Sequence, residues 1–362
     1  MAITYHAGKR LQATSTDFGT NGSGIPAVAG GWKEIGRTTL GSAANFLTVS
    51  SLPDKRYYMV LFDQVSRSGA ANNDLIHFNT DTANNYARRY SANGGTDGTS
   101  VSRLGIELYG NSTNNAFYTG YIANLAGKEK LAQIQLNAGG STGAGNASTR
   151  VEIVGKWANT SDAISEIKWK INNSTETFGT NSEIVVLGWD PADTHTTNFW
   201  TELASVTNSG GSTNNFGTGS FTAKKYLWVQ AFVKNDGACS PRFRVGTGGT
   251  IDTGTNIASR SSSDGGADGT ALSRDDMVIS ISSTSENHFI NMFMVNNASN
   301  EKLAIHNCIT VGTAGAGTAP QRREGVSKYS NTSAQVNIIE LEDADASAGL
   351  GDGTIIKVWG SD

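Results

Sequence analysis

The residues able to do chemistry in this chain are few and scattered. Five histidines, His6, His77, His195, His288 and His306, fall at no metal-ligand spacing. No Gly-x-Ser-x-Gly elbow, phosphate-cradling glycine loop or His-Glu-x-x-His pair occurs. The acidic group Glu340, Glu342, Asp343, Asp345 and Asp352 offers the hard oxygen atoms that calcium takes, but without the regular loop spacing of a calcium site, so it reads as a solvated face. Asp97-Gly98 and Asp268-Gly269 invite the same reading because they recur; a tight hairpin turn at each accounts for the recurrence more simply. No catalytic residue, cofactor or metal ion is therefore expected, and the role is read as non-enzymatic.

Composition narrows the partners. A net charge of −4 over 362 residues, without a dense Lys/Arg stripe, excludes the electrostatics of nucleic-acid binding. No apolar run approaches the length of a membrane span, and Met1-Ala-Ile-Thr-Tyr-His6 lacks the basic region and apolar core of a signal peptide. Cys239 and Cys308 read as two free thiols, with a disulfide between them as the alternative.

The elements that would have to position any site are written twice. Lys128-Glu-Lys-Leu131 through Lys156 returns from Glu301-Lys-Leu303 to Lys328 at one constant spacing of 172 residues, the distance from Leu131 to Leu303. Arg150 answers Arg322, Glu152 answers Glu324, Val154 answers Val326, and Gly143-Ala-Gly145 answers Gly315-Ala-Gly317. Trp32 matches Trp200, Tyr57 matches Tyr226, Trp157 meets Tyr329, and Trp189 is paired with Trp359. The expected organisation is an N-terminal arm (1–31), a first repeat (32–190), a short linker (191–199) and a second repeat (200–362).

Periodicity gives strands. Ile167-Lys-Trp169-Lys-Ile171 alternates apolar and charged residues, placing Ile167, Trp169 and Ile171 on one face. Strands are also expected at Glu183–Leu187, Tyr226–Phe232, Met277–Ile281 and Phe289–Val295, and no segment keeps a helical stripe. The fold class is all-β: two tandem β-sandwich, jelly-roll-like domains produced by an internal duplication.

Three features bear on partners. The polar arm, with Lys9 and Arg10, has little core of its own and is expected to become ordered by lying on its own domain or on a neighbouring subunit, the neighbour being the first expectation. Lys168 and Lys170 of the first repeat are replaced by Glu340 and Glu342 in the second, so these strands could present opposite charges to one another or to neighbouring subunits. Aromatic faces could stack on sugar rings, although residues kept aromatic in both repeats read first as packing.

Trp32-Lys-Glu34, Leu52-Pro-Asp-Lys-Arg-Tyr-Tyr58, Asn85-Tyr-Ala-Arg-Arg89, Val154-Gly-Lys-Trp-Ala-Asn-Thr160 and the run from Ala314 to Glu324 together resemble a family of tandem-duplicated β-rich structural proteins encoded by marine tailed phages. The resemblance implies a virion protein on the particle exterior, as head decoration or tail and fibre component, and carries no catalytic residues. A self-assembling homo-oligomer, with a trimer among the candidates, and contacts with other virion proteins are the expectation. A shell-forming double jelly-roll capsid protein is one alternative. A carbohydrate-binding adhesion module, with a host-surface glycan as partner, is another.

Overall fold

The structure, a computed structural model, describes residues 31–362 apart from 70–72, 110–112, 174, 192, 194–196, 281–286 and 312–314. Lys9, Arg10 and the arm as far as residue 30 lie outside the described residues. The first half runs through β1 (Lys33–Thr39), β2 (Phe46–Val49), β3 (Tyr57–Gln64), β4 (Asp74–Phe78), β5 (Tyr86–Ala92) and β6 (Gly98–Arg103). It continues through β7 (Ile106–Leu108), β8 (Ala116–Ala123), β9 (Lys130–Ala138), β10 (Thr149–Trp157), β11 (Ile167–Ile171) and β12 (Glu183–Trp189). An eight-stranded antiparallel sheet, ordered β1-β12-β3-β8-β9-β10-β5-β6, lies over a four-stranded one, β2-β11-β4-β7.

The second half repeats this with β13 (Thr201–Thr207), β14 (Asn215–Gly217), β15 (Tyr226–Val233), β16 (Pro241–Thr247), β17 (Thr250–Ile251) and β18 (Ile257–Ser263). Then follow β19 (Gly269–Arg274), β20 (His288–Val295), β21 (Lys302–Thr310), β22 (Gln321–Tyr329), β23 (Ile338–Asp343) and β24 (Ile355–Ser361). Its sheets are ordered β13-β24-β15-β20-β21-β22-β18-β19 and β14-β23-β16-β17; the eight-stranded sheet repeats the first strand for strand, whereas the last strand of the small sheet differs, β7 following β6 in the chain and β17 preceding β18. The chain is all-β, two similar sandwiches in tandem.

Alternation along each strand decides what is buried. Ile167, Trp169 and Ile171 are buried while Lys168 and Lys170 are half-exposed, as period-two patterning requires. Trp169 stacks on Phe62 with centroids 4.1 Å apart and meets Tyr118 edge-on at 4.6 Å, which fills the first sandwich with aromatic volume. The second sandwich uses Phe243, Met277, Met292 and Met294 instead, with Cys239 and Cys308 as buried free thiols. Trp157 and Tyr329 hold one position in both halves, donating to Asp81 at 2.7 Å and to Asp252 at 2.8 Å.

Three sequence expectations need correction. The hairpin between β5 and β6 turns at Asn93-Gly94, both with positive φ (51° and 68°), and its counterpart turns at Asp264-Gly265 (52° and 74°). That is the backbone of a two-residue hairpin turn, so Asp97 and Asp268 sit beyond the turn itself. No strand is assigned over residues 277–280; Met277 makes a single bridge to Phe243. Finally, Trp189 lies opposite Tyr57 whereas Ser361 lies opposite Tyr226, so the register equates Trp189 with Ser361, and Leu187 with Trp359.

Candidate functional site

The four-stranded sheets cover one face of each eight-stranded sheet, which leaves the other face of each to be accounted for. In the first half that face carries Met59, Leu61, Phe117, Val185 and Leu187; in the second, Trp200, Tyr226, Phe293, Leu303, Ile305 and Val326. These residues pack together as a third core, in which Phe117 and Tyr226 approach to 6.3 Å. Each large apolar side chain withdrawn from water here contributes about 1.5–3 kcal/mol.

Several polar side chains pair across this contact, while Asp63 Oδ1, Asn137 Oδ1 and Trp200 Nε1 are buried without a hydrogen bond among the described residues. Asn137 donates to the carbonyls of Ala304 and Ser327 at 2.8 and 2.9 Å, and Asn115 donates to the carbonyl of Glu301 at 2.7 Å. Lys328 donates to the Gly139 carbonyl at 3.1 Å. Arg150 grips Asp268 through Nη2 at 2.7 Å and Nε at 3.2 Å, so the recurring aspartate joins the halves. Lys225 reaches Asp63 at 3.2 Å and Glu183 at 3.0 Å, and Tyr226 donates to Glu183 at 2.8 Å. Burial raises the Asp63 carboxyl above its ordinary range. Burial pushes Glu183 the same way but is outweighed by Lys225, Thr39 and Arg37, which hold it below.

The contact is not symmetric. Phe117 of the first half meets Tyr226, and Asn137 bonds to the backbone of β21 and β22, whereas Leu131 and Val154, the equivalents of the buried Leu303 and Val326, are exposed. Leu303 is 0% exposed and its counterpart Leu131 is 55% exposed. Conversely Phe117 is 1% exposed and its counterpart Phe289 is 43% exposed. Along β9 the outward residues become steadily more exposed from Asn137 through Gln135 to Gln133 and Leu131, and along β21 from Leu303 and Ile305 through Asn307 to Ile309. Gln135 and Asn307, equivalent positions, meet at 3.5 Å near the middle. The two sheets thus join toward one end and part toward the other.

Where they part, the first sheet presents an aromatic concavity of about 710 Å³ whose lining includes Trp32, Tyr57, Tyr121, Leu131, Val154 and Trp189. Tyr57 stacks on Trp189 at 5.3 Å, and Trp32 lies 6.1 Å from Tyr121. Tyr121, Gln133 and Val154 also line an adjoining cleft whose far wall is Asn291, Phe293, Asn307 and Glu324 of the second half. Equal apolar composition in both repeats concealed this face from sequence reasoning; the signal was the match itself, which says nothing about cover.

The charged positions singled out from sequence are not brought together. Lys168 lies opposite His77 on β4, near Glu166 at 3.7 Å and over the Phe46 ring at 5.4 Å. Lys170 lies opposite Leu75 in the same pair of strands. Glu340 lies opposite Arg244 on β16, whose guanidinium reaches Glu340 at 4.0 Å and Glu342 at 2.5 Å. The register therefore equates His77 with Arg244, so the cross-strand partner changed with the charge. Burial first, then Lys170 and Lys168, depress His77 to about 4. Asp343 accepts from the backbone N–H groups of Ser240, Asp345, Ser347 and Gly349, which pins the loop after β23. Cys308 Sγ lies 3.8 Å from His288 Nδ1, but burial pushes its thiol up to about 12, a poor setting for a nucleophile.

No protein-family model matches the chain, and no curated protein does. Among solved structures, the LG4-5 domains of the mouse laminin alpha1 chain align over 92% of this chain and 91% of that one, at 9% identity and a TM-score of 0.20. The LG1-3 region of the laminin alpha2 chain covers 87% of this chain and 64% of its own, at 9% identity and a TM-score of 0.21. The mavirus major capsid protein covers 99% and 93%, at 8% identity and a TM-score of 0.13. Agreement at this level carries no argument about function.

Proposed function

We propose that this chain is a non-enzymatic structural protein of a virus or phage particle, placed on its exterior and self-assembling there. The observation that carries the reading is the third core: two sandwiches are locked face to face by apolar side chains and buried charge pairs into one block. Such a block suits a load-bearing surface more than a hinged catalyst. The unmatched apolar residues Phe232, Phe289 and Ile309 of the second half supply surface for association. The particle setting itself rests on the sequence resemblance.

A glycan-binding module is the second reading, favoured by the aromatic concavity. Its rings stack on each other as much as they face outward, and a sugar seated among mainly apolar walls would leave hydroxyls unpaired. Light scattering and negative-stain imaging of the full chain test the structural role. Discrete oligomers, rings or filaments are expected, and a strict monomer at high concentration would overturn it; saturable binding on a glycan array would favour the second reading.

A further inference from the structure

The bare aromatic face has a covered twin. Position by position it repeats the face that the second half buries: Trp32 as Trp200, Tyr57 as Tyr226, Tyr121 as Phe293, Leu131 as Leu303, Val154 as Val326. A surface that keeps the residues of a buried one is built to be buried. What can cover it is limited by its surroundings. Its adjoining cleft is walled by Asn291, Phe293 and Asn307 of the second half, so another eight-stranded sheet seated as in the covered copy would run into that half. The space suits a thinner occupant, a length of extended chain.

Such a chain leaves from the rim. Trp32, itself a lining residue, is where the preceding segment enters the first sheet, and 30 residues precede the described structure. At about 3.3 Å per residue they could cross the face more than once. They carry Ile3, Tyr5, Leu11, Phe18, Ile25 and Val28, spaced among small polar residues. The second half shows how an entering chain uses this face. Phe199, just before Trp200, is buried in the third core and packs 6.2 Å from Tyr226 and 4.9 Å from Trp200. The residue just before Trp32 is Gly31, which has no side chain to do this.

We infer that the aromatic face of the first sheet, around Tyr121, Leu131 and Val154, is the docking site for the chain's own N-terminal segment, residues 1–30. The inference stands whether or not the protein assembles into particles. Thiol labelling of the full-length chain tests it, because both native cysteines are buried. Leu131→Cys is compared with Phe46→Cys, an exposed position on β2 in the four-stranded sheet. Leu131→Cys should react at least tenfold more slowly, with the protection unchanged on dilution and removed by Leu11→Glu with Phe18→Glu. Equal rates at the two positions would overturn the inference. So would protection that survives the arm substitutions, or that disappears on dilution, which would identify a second copy as the cover.

Discussion

Leu303 and Leu131 occupy one position in one duplicated sheet, yet one is sealed in a core and the other faces outward. Their difference teaches that burial in this protein belongs to the contact and not to the residue. The largest expected effect follows from it. Leu303→Asp should cost about 4 kcal/mol or more, since it places an unpaired charge among Tyr226, Phe293 and Val326, while Leu131→Asp should cost much less, since it can lose only the docking of residues 1–30 and leaves the third core intact. Denaturant titration of both variants checks the pair, and equal losses would break the comparison.

The paired arginines sharpen it. Arg150→Ala strands Asp268, whose side chain is 1% exposed, and should cost about 3 kcal/mol. Arg322→Ala removes a side chain that is 59% exposed beside Glu324, and should cost about 0.5 kcal/mol or less. Arg150→Ala is also expected to loosen the contact between halves, seen as faster amide exchange in β10 and β18 with the four-stranded sheets unchanged.

The smallest effect separates the two minor sheets, where His77 stands in the first half and Arg244 in the second. The folded protein holds His77 near 4, below its ordinary 6.5, so the unfolded chain binds more protons between those values. Stability from this group is complete above about 6.5 and falls as pH drops toward 4, by at most about 1.4 kcal/mol per pH unit. Asp74, pushed up to about 6 by burial against the pull of Arg67, acts in the opposite sense. The readout is therefore the difference between the parent chain and His77→Gln at pH 7 and pH 5.5, which should narrow or reverse at the lower pH.

Much of the fold was legible because strands announce themselves by alternation: Ile167, Trp169 and Ile171 point inward as their spacing requires, and the constant interval from Leu131 to Leu303 reveals the duplication. The site was not. Leu131 and Leu303 are the same residue in nearly the same local sequence, and only the relative placement of two sheets makes them differ. Asp268 misled for a related reason. Its recurrence as Asp97 suggested a turn, but Asn93-Gly94 and Asp264-Gly265 make the turns, which leaves Asp268 free to meet Arg150 across the halves. The exchange of Lys168 for Glu340 was visible, whereas its partners His77 and Arg244 came into view only with strand register.

The segment between β12 and β13 has a last consequence. Asp190 and Asp193 close on one another there, and Lys55 holds Asp193, so the crossing from one sandwich to the next is short and anchored. Two separate sandwiches meeting through this contact would part on dilution. Tethered, each sees the other at an effective concentration in the millimolar range or above, and the union becomes a matter of intramolecular equilibrium that no dilution can dissolve.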